Sequence, residues 1–295
     1  MRTSEEVVPA QAGTQFGESE RTIGAILVGA GALTSRDVER ILERQRSQGG
    51  RFGDAGKALG LIEQRDIDFA LSRQFDYPYL RRGESRVSPS VVAAYEPASP
   101  QVEALRALRS ELMLHWFNED AAHKSIAIVS EARGEGRSHI AANLAVVLSQ
   151  LGGRTLLVDA DLRNPAQHVL FGLENRVGLS AVLAGRAGAE AVQRVAELGN
   201  LSVLPAGVAP PNPQELLARP TFGMLLERLA EHVDFILIDT PPAAESADFQ
   251  TVAARARAAL FVVRKNHSRL WRVQALAESV SHTRTAVVGA VLNDF

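Results

Sequence analysis

At 295 residues, with 46% hydrophobic and 22% charged side chains, the chain has an ordinary globular composition and is long enough for two domains, one with a full sheet-based core. A formal net charge of −2 without a basic run argues against nucleic acid as a partner, and zero cysteines exclude disulfides and thiolate metal sites. No apolar run reaches the ~18 residues of a membrane span, and the polar start MRTSEEVVPAQAG lacks the apolar segment of a signal peptide, so work at a membrane would need a partner to hold the chain there.

Residues 1–20 are polar and irregular and read as a disordered tail. An internal repeat follows. Sliding Ile23 onto Phe52, an offset of 29, matches Gly24 with Gly53, Gly31 with Gly60, Arg36-Asp37 with Arg65-Asp66, Leu42 with Leu71 and Arg44-Gln45 with Arg73-Gln74. These seven identities in positions 23–45 describe a duplicated unit: a short helix, a glycine turn, then a longer amphipathic helix opened by Thr34-Ser35 or Glu63-Gln64. Residues 21–80 are therefore expected to form a small all-α domain. Residues 81–99, rich in Pro, Ser and charge, read as a linker. A helix is expected over 100–116, with Val102, Leu105, Leu108 and Leu112 as its buried stripe.

From Lys124 apolar strands alternate with helices. Strands are expected at 125–129, 155–158, 201–204, 235–238, 258–263 and 286–292. Such continuous apolar runs suit a mostly parallel sheet with helices on both faces, so 100–295 is expected to be an α/β nucleotide-binding domain of the P-loop kind. Ligands of doubly wound sheets sit at the carboxyl ends of the strands. The glycine loop 130–138, the pair Asp159 and Asp161, and Asp239 all fall at that edge.

Each feature has its own chemistry. Gly134 and Gly136 can take backbone angles that aim the amides of Gly134, Glu135, Gly136, Arg137, Ser138 and His139 at a phosphate, and the helix opening near Ser138 adds its positive end. Ser138 can offer a hydroxyl to Mg2+. Asp159 and Asp161, two apart at a strand end, would share a face. Asp239 follows four apolar residues, a costly place for a carboxylate unless it meets a cation or strong donors. Mg2+ bound by one or two carboxylates, phosphate oxygens and water accounts for all three. The loop departs from the common pattern in carrying Arg137 for Lys and Glu131 for Gly, and a guanidinium is planar and larger than an ammonium. Two alternatives stand beside this reading: a structural turn in which Arg137 pairs with a carboxylate, and an Asp159 or Asp239 that caps a neighbouring helix.

Together these motifs resemble those of the bacterial tyrosine autokinases that regulate capsule and exopolysaccharide synthesis, the chain-length-determinant type in particular, over roughly 97–295. The family's loop, S-x-x-x-G-x-G-[KR]-S, is matched from Ser130 to Ser138, its second motif by VDADLR at 158–163 and its third by ILIDTPP at 236–242. Its oligomerisation motif, E-x-x-R-x-x-R, is matched by Glu103, Arg106 and Arg109, which share one helical ridge. The stretch 204–217, read as a strand end, a turn and a helix with Asn212 at its N-cap, also looks like this family, as does the closing VLNDF. The resemblance implies transfer of the ATP γ-phosphate to protein tyrosine, with Asp159, Asp161 and Arg137 catalytic. Ser138, Asp159 and Asp239 would hold Mg2+. Residues 134–139 and Asn293 would contact ATP.

It also implies a homo-oligomeric ring and a transmembrane chain-length protein whose cytoplasmic tail completes the site. The chain would then be cytoplasmic, peripheral to the inner membrane. Two departures favour a second reading, a non-catalytic nucleotide-dependent switch or scaffold. One is Arg137. The other is that the family's C-terminal tyrosine cluster has no counterpart, the three tyrosines being Tyr77, Tyr79 and Tyr95. The related partitioning and division-site ATPases carry an extra lysine where this chain has Ala132, which argues against membership of that group. The N-terminal repeat resembles the front module of type II secretion and type IV pilus ATPases, versions of which bind cyclic di-GMP through a doubled pattern from Arg-Leu-Gly to Leu-x-x-Gln. Leu42/Gln45 and Leu71/Gln74 match the ends, and Arg51-Phe52-Gly53 matches one start. The first copy has Thr22-Ile23-Gly24 instead, and the second has Gly56 where the first has Leu27. This resemblance implies a helical docking domain with cyclic di-GMP as an expected ligand.

Overall fold

The computed structural model describes residues 22–74, 79–117 and 124–294, so the tail expected at 1–20 lies outside the described residues. The chain divides into two compact units at Tyr77/Pro78. In the first, α1 (Ile23–Gly29), α2 (Ser35–Gln48), α3 (Phe52–Ala58) and α4 (Gln64–Gln74) form the repeat as two short-then-long pairs. Gly31 and Gly60 turn each pair with φ of 71° and 66°, angles that favour a residue without a Cβ. Thr34 starts α2 with a capping box: its hydroxyl accepts the Asp37 N–H while the Asp37 carboxylate accepts the Thr34 N–H. Leu27, Leu33, Ile41, Ile62 and Ile67 make a separate core. Gly56 interrupts the repeat for a packing reason, because a Cβ there would stand 2.5 Å from Cδ1 of Ile62.

The second unit begins with α5 (Val92–Tyr95), α6 (Pro100–His115), β1 (Ser125–Val129), α7 (Arg137–Ser149), β2 (Thr155–Asp159), α8 (Gln167–Leu170), α9 (Leu179–Leu183), β3 (Gln193–Arg194) and β4 (Leu201–Leu204). It continues with α10 (Pro213–Ala218), α11 (Pro220–Ala230), β5 (Phe235–Asp239), α12 (Asp248–Ala256), β6 (Ala258–Arg264), α13 (Leu270–Ser281) and β7 (Ala286–Asn293). The sheet order is β3-β4-β2-β5-β1-β6-β7, parallel throughout except for the short β3–β4 pair. Successive strand residues feed two apolar layers: Ile126 and Ile128 join one, Ala127 and Val129 the other. Burial on both faces is what makes these strands read as unbroken apolar runs. Asp159 and Asp239 end adjacent strands in register, and β1 flanks β5 on its other side. The chain therefore leaves β2, β5 and β1 side by side at one edge.

The structure corrects two expectations and adds one short strand. Residues 81–99 are not a free linker. Val87, Val91, Ala93, Ala94 and Tyr95 are buried in the same layer as α7, and Asn143 of α7 and Gln150 just past its end bond the Ala93 backbone N–H and C=O at 2.9 and 3.1 Å. The apolar run Val91-Val92-Ala93-Ala94-Tyr95 outweighs the Pro/Ser composition around it. Asn212 precedes α10, but its side chain makes no capping bond. The two-residue edge strand β3 has no apolar run to announce it.

Candidate active site

After Val129 the chain turns through residues 130–136 into α7. Gly134 and Gly136 lie at φ 81° and 91°, where other residues are strained. The loop and the first turn of α7, whose amides have no acceptor within the helix, line a cleft of about 240 Å³ together with Asp161, Asn164 and Pro242. Neighbouring elements pin the loop from below. The buried Glu135 carboxylate accepts the Ala132 N–H at 2.8 Å and the Ser268 hydroxyl. Asn293 donates to the Glu135 carbonyl at 3.0 Å, and Arg264 to the Gly134 carbonyl at 3.1 Å. Glu131, the departure from the usual glycine, receives Arg272 of α13 at 2.8 Å. Arg133 forks onto both oxygens of Glu245 at 2.8 Å each.

The charges sit one layer deeper. Arg137 turns inward, its side chain only 9% exposed. Its guanidinium donates to Ser130 Oγ at 2.7 Å and Asp239 Oδ1 at 3.2 Å, and lies 3.5 Å from Asp161 Oδ2. Asp239 also receives Gln167 Nε2 at 2.8 Å and the Ser138 hydroxyl. Asp159 is fully buried and accepts three backbone N–H groups: Asp161 at 3.2 Å on one oxygen, Ala166 and Gln167 at 2.9 Å each on the other. Asp161 Oδ1 accepts the N–H groups of Arg163 and Asn164. Both alternatives raised by the sequence are thus realised, since Arg137 pairs with carboxylates and Asp159 caps α8. Burial pushes the Asp159 carboxyl well above the ordinary range, and the Asp239 charge adds to the effect. Burial likewise raises Asp239, against the pull of Arg137. Burial lowers the His139 imidazole and keeps it neutral near pH 7.

Do these residues fit a Mg-nucleotide? Left-handed glycines shape the loop, and the cleft brings its amides beside the Asp161 carboxylate. The buried Asp161 and Asp239 carboxylates share a single guanidinium between them, an arrangement that suits an added divalent charge. The buried Gln167 Oε1 has no partner. Among the described residues no three His, Cys, Asp or Glu side chains form a cage, and Mg2+ typically takes only one or two carboxylates alongside phosphate and water. The residues fit, provided Arg137 gives up its place between Asp161 and Asp239.

The family model described as ParA, a NUBPL iron-transfer P-loop NTPase, matches residues 121–294. Tyrosine-protein kinase YwqD of Bacillus subtilis (strain 168) is 35% identical over 209 residues, which cover 71% of this chain and 87% of that protein. The chain belongs to the bacterial tyrosine-protein kinase family. Among solved structures, the kinase domain of Escherichia coli tyrosine kinase ETK superposes with a TM-score of 0.67 at 30% identity, covering 75% of this chain and 85% of that one. The septum site-determining protein MinD from Pyrococcus horikoshii OT3, complexed with Mg-ADP, gives 0.51 at 28% identity and covers 58% and 70%.

Within this kinase fold the expected residues fall into place unequally. Gly134, Gly136, Arg137, Ser138, His139 and Asp161 meet at the cleft. Asp159 and Asp239 stand buried behind it, Glu135 contributes its backbone, and Asn293 reaches the loop. Glu103 and Arg106 pair at 3.0 Å on α6, but Arg109 donates to the Val147 carbonyl of α7 at 3.0 Å and so docks its own helix. Gln167, Asp248 and Arg264 were not singled out from sequence. Asp248 is buried and bonds Arg163 at 3.0 Å. Their only signal is a polar residue in an apolar neighbourhood.

Proposed function

We propose that this chain is an ATP-binding, Mg-dependent protein-tyrosine kinase that regulates exopolysaccharide polymerisation or export. It works in the cytoplasm as a ring, beside a transmembrane chain-length protein whose tail completes the site. No helix among the described residues is long and apolar enough to cross a membrane, in keeping with a role that a partner anchors. The observation that carries the reading is the meeting of residues 133–139 and Asp161 on one cleft, with Asp239 buried behind it on Arg137, in a chain of this family. Bound Mg2+ and ATP would supply the phosphoryl group and neutralise its charge. The loop amides would hold the phosphates, and Arg137, once off its carboxylates, would offer its charge to the terminal phosphate. Ser138 and Asp239 would hold the metal side, while Asp159 fixes the turn that carries Asp161. Asp161 Oδ2, released from Arg137 at the cleft, takes the proton of the acceptor tyrosine hydroxyl.

The acceptor is narrowed by burial. The Tyr95 hydroxyl is buried and donates to the Val87 carbonyl, so it is not offered to another subunit. Tyr79 is half-buried, and Tyr77 lies outside the described residues. A tyrosine of another protein, or Tyr77 of a neighbour, fits the reading best. Incubation with Mg-ATP, with and without the partner tail, followed by mass spectrometry should show phosphotyrosine that Asp161→Asn abolishes. Its absence from both chain and tail would overturn catalysis.

The inward pairing of Arg137 and the burial of Tyr95 favour a second reading, a nucleotide-dependent assembly switch without phosphotransfer. That reading predicts an ATP-dependent change in sedimentation with no phosphotyrosine. The N-terminal unit serves in either case as a docking module. Cyclic di-GMP finds no support in these likenesses and forms no part of the proposal.

A further inference from the structure

The glutamine that opens α8 is fully enclosed at the site, as Asp159 and Asp239 are. Gln167 is 0% exposed. Its Nε2 donates to the Ser138 carbonyl at 3.1 Å and to Asp239 Oδ2 at 2.8 Å, and its backbone N–H donates to Asp159 Oδ2 at 2.9 Å. One residue thus ties the phosphate loop to the ends of β2 and β5. The two Nε2 contacts also fix the orientation of the amide, because both partners are oxygens and only the NH2 end can donate to them. The other end, Oε1, is then left buried without a hydrogen-bond partner. Burying an unsatisfied carbonyl is unfavourable, and native structures seldom carry one without a use.

We propose that Gln167 is a positioning residue for the metal: its Oε1 accepts a hydrogen bond from a water in the Mg2+ shell while its Nε2 holds Ser138 and Asp239 in place. A phosphate oxygen cannot satisfy a carbonyl, since neither has a proton to give, whereas water polarised by a divalent cation is a strong donor. The Nε2 bond orients Asp239, and the contact with the Ser138 carbonyl fixes the residue whose hydroxyl shares that carboxylate. Such outer partners set metal affinity nearly as firmly as the ligands do.

This inference rests on the Mg-nucleotide reading, and its test separates the two. ADP binding to the full chain is titrated by calorimetry with and without Mg2+, and the Mg2+ concentration giving half the metal-dependent gain is read. Gln167→Met keeps the volume and removes both polar ends. It should leave metal-free ADP affinity within about twofold and raise the Mg2+ half-point by roughly ten- to a hundredfold. Gln167→Glu keeps an oxygen at the Oε1 position but turns the Nε2 donor into an acceptor facing Asp239 and the Ser138 carbonyl, so its half-point should rise at least as far as that of Gln167→Met. Thermal unfolding of both variants confirms that they are folded. A Gln167→Met or Gln167→Glu half-point equal to the native one, or equal losses with and without metal, would each overturn the proposal. Failure of the native chain to bind ADP under any condition would instead strike the underlying Mg-nucleotide reading.

Discussion

Arg137 is where the chemistry of a single residue decides the state of the site. Its guanidinium bonds Ser130 and Asp239 and faces Asp161 in a nearly closed pocket. Removing one member of a buried pair costs about 3–5 kcal/mol because the remaining charge is left uncompensated. Arg137→Ala should therefore lower urea stability by that order, whereas an exposed phosphate-contacting arginine would cost almost nothing. The buried aspartates give a pH signature. Their folded-state pKa values are raised, so between the ordinary carboxylate value and the raised one the folded chain holds more protons than the unfolded chain. Stability accordingly falls as pH rises through that window. Asp239→Asn removes one of the two groups, and urea titrations at about pH 4, 5.5 and 7 should show a shallower fall than in the native chain. An unchanged or steeper fall would show that burial does not raise the Asp239 carboxyl. The glycine loop, Asp159, Asp161 and Asp239 were legible in the sequence because motif spacing and strand ends fix backbone position. The direction of Arg137 was not, since a long side chain chooses among partners that only the tertiary fold brings near.

At the scale of elements, the strap formed by residues 79–99 is the main departure from what the sequence suggested. Asn143 is fully buried on α7, accepts the Ala93 N–H at 2.9 Å, and places its amide 3.4 Å from the Ser90 carbonyl. Asn143→Ala leaves the Ala93 N–H buried and unsatisfied, which should cost about 1–3 kcal/mol and speed proteolytic cutting within 79–99. Unaltered stability and cutting would mean the strap is held by its apolar residues alone. The turn after α8 is equally constrained: Gly172 has φ 62°, and a Cβ there would stand 2.5 Å from both Cβ and the carbonyl oxygen of Arg86. Strands and long helices were legible because burial on both sheet faces, or on one helical stripe, imposes a period on the sequence. The strap was hidden because its six buried residues sit among prolines, serines and arginines that dominate the composition. The weak edge strand β3 follows no period at all, as its two residues are only half-buried or exposed.

At the scale of the molecule, the strand order brings β2, β5 and β1 together, and with them the ends of three segments far apart in sequence. Fold class was legible from the alternation of apolar strands and helices, and membership of the tyrosine-protein kinase family confirms it. The proposed ring contact was only partly legible. Arg109 is committed to α7 within its own chain, so Glu103 and Arg106 remain the better test of assembly. Glu103→Ala should reduce oligomer at a given concentration in sedimentation velocity while leaving the melting temperature nearly unchanged, as expected for an exposed carboxylate in a surface pair. An equal loss of stability would make the motif structural. The central claim is that the cleft between loop 130–138 and Asp161 holds a Mg-nucleotide through a mobile Arg137. Calorimetric titration of Mg-ATP into the native chain, Arg137→Lys and Arg137→Ala tests it most directly. The account predicts binding by the native chain, retained by Arg137→Lys and weakened at least about tenfold in Arg137→Ala, the loss of a charge-assisted contact. Binding that appears only when Arg137 is replaced would contradict it and leave the arginine as a permanent plug in a scaffold.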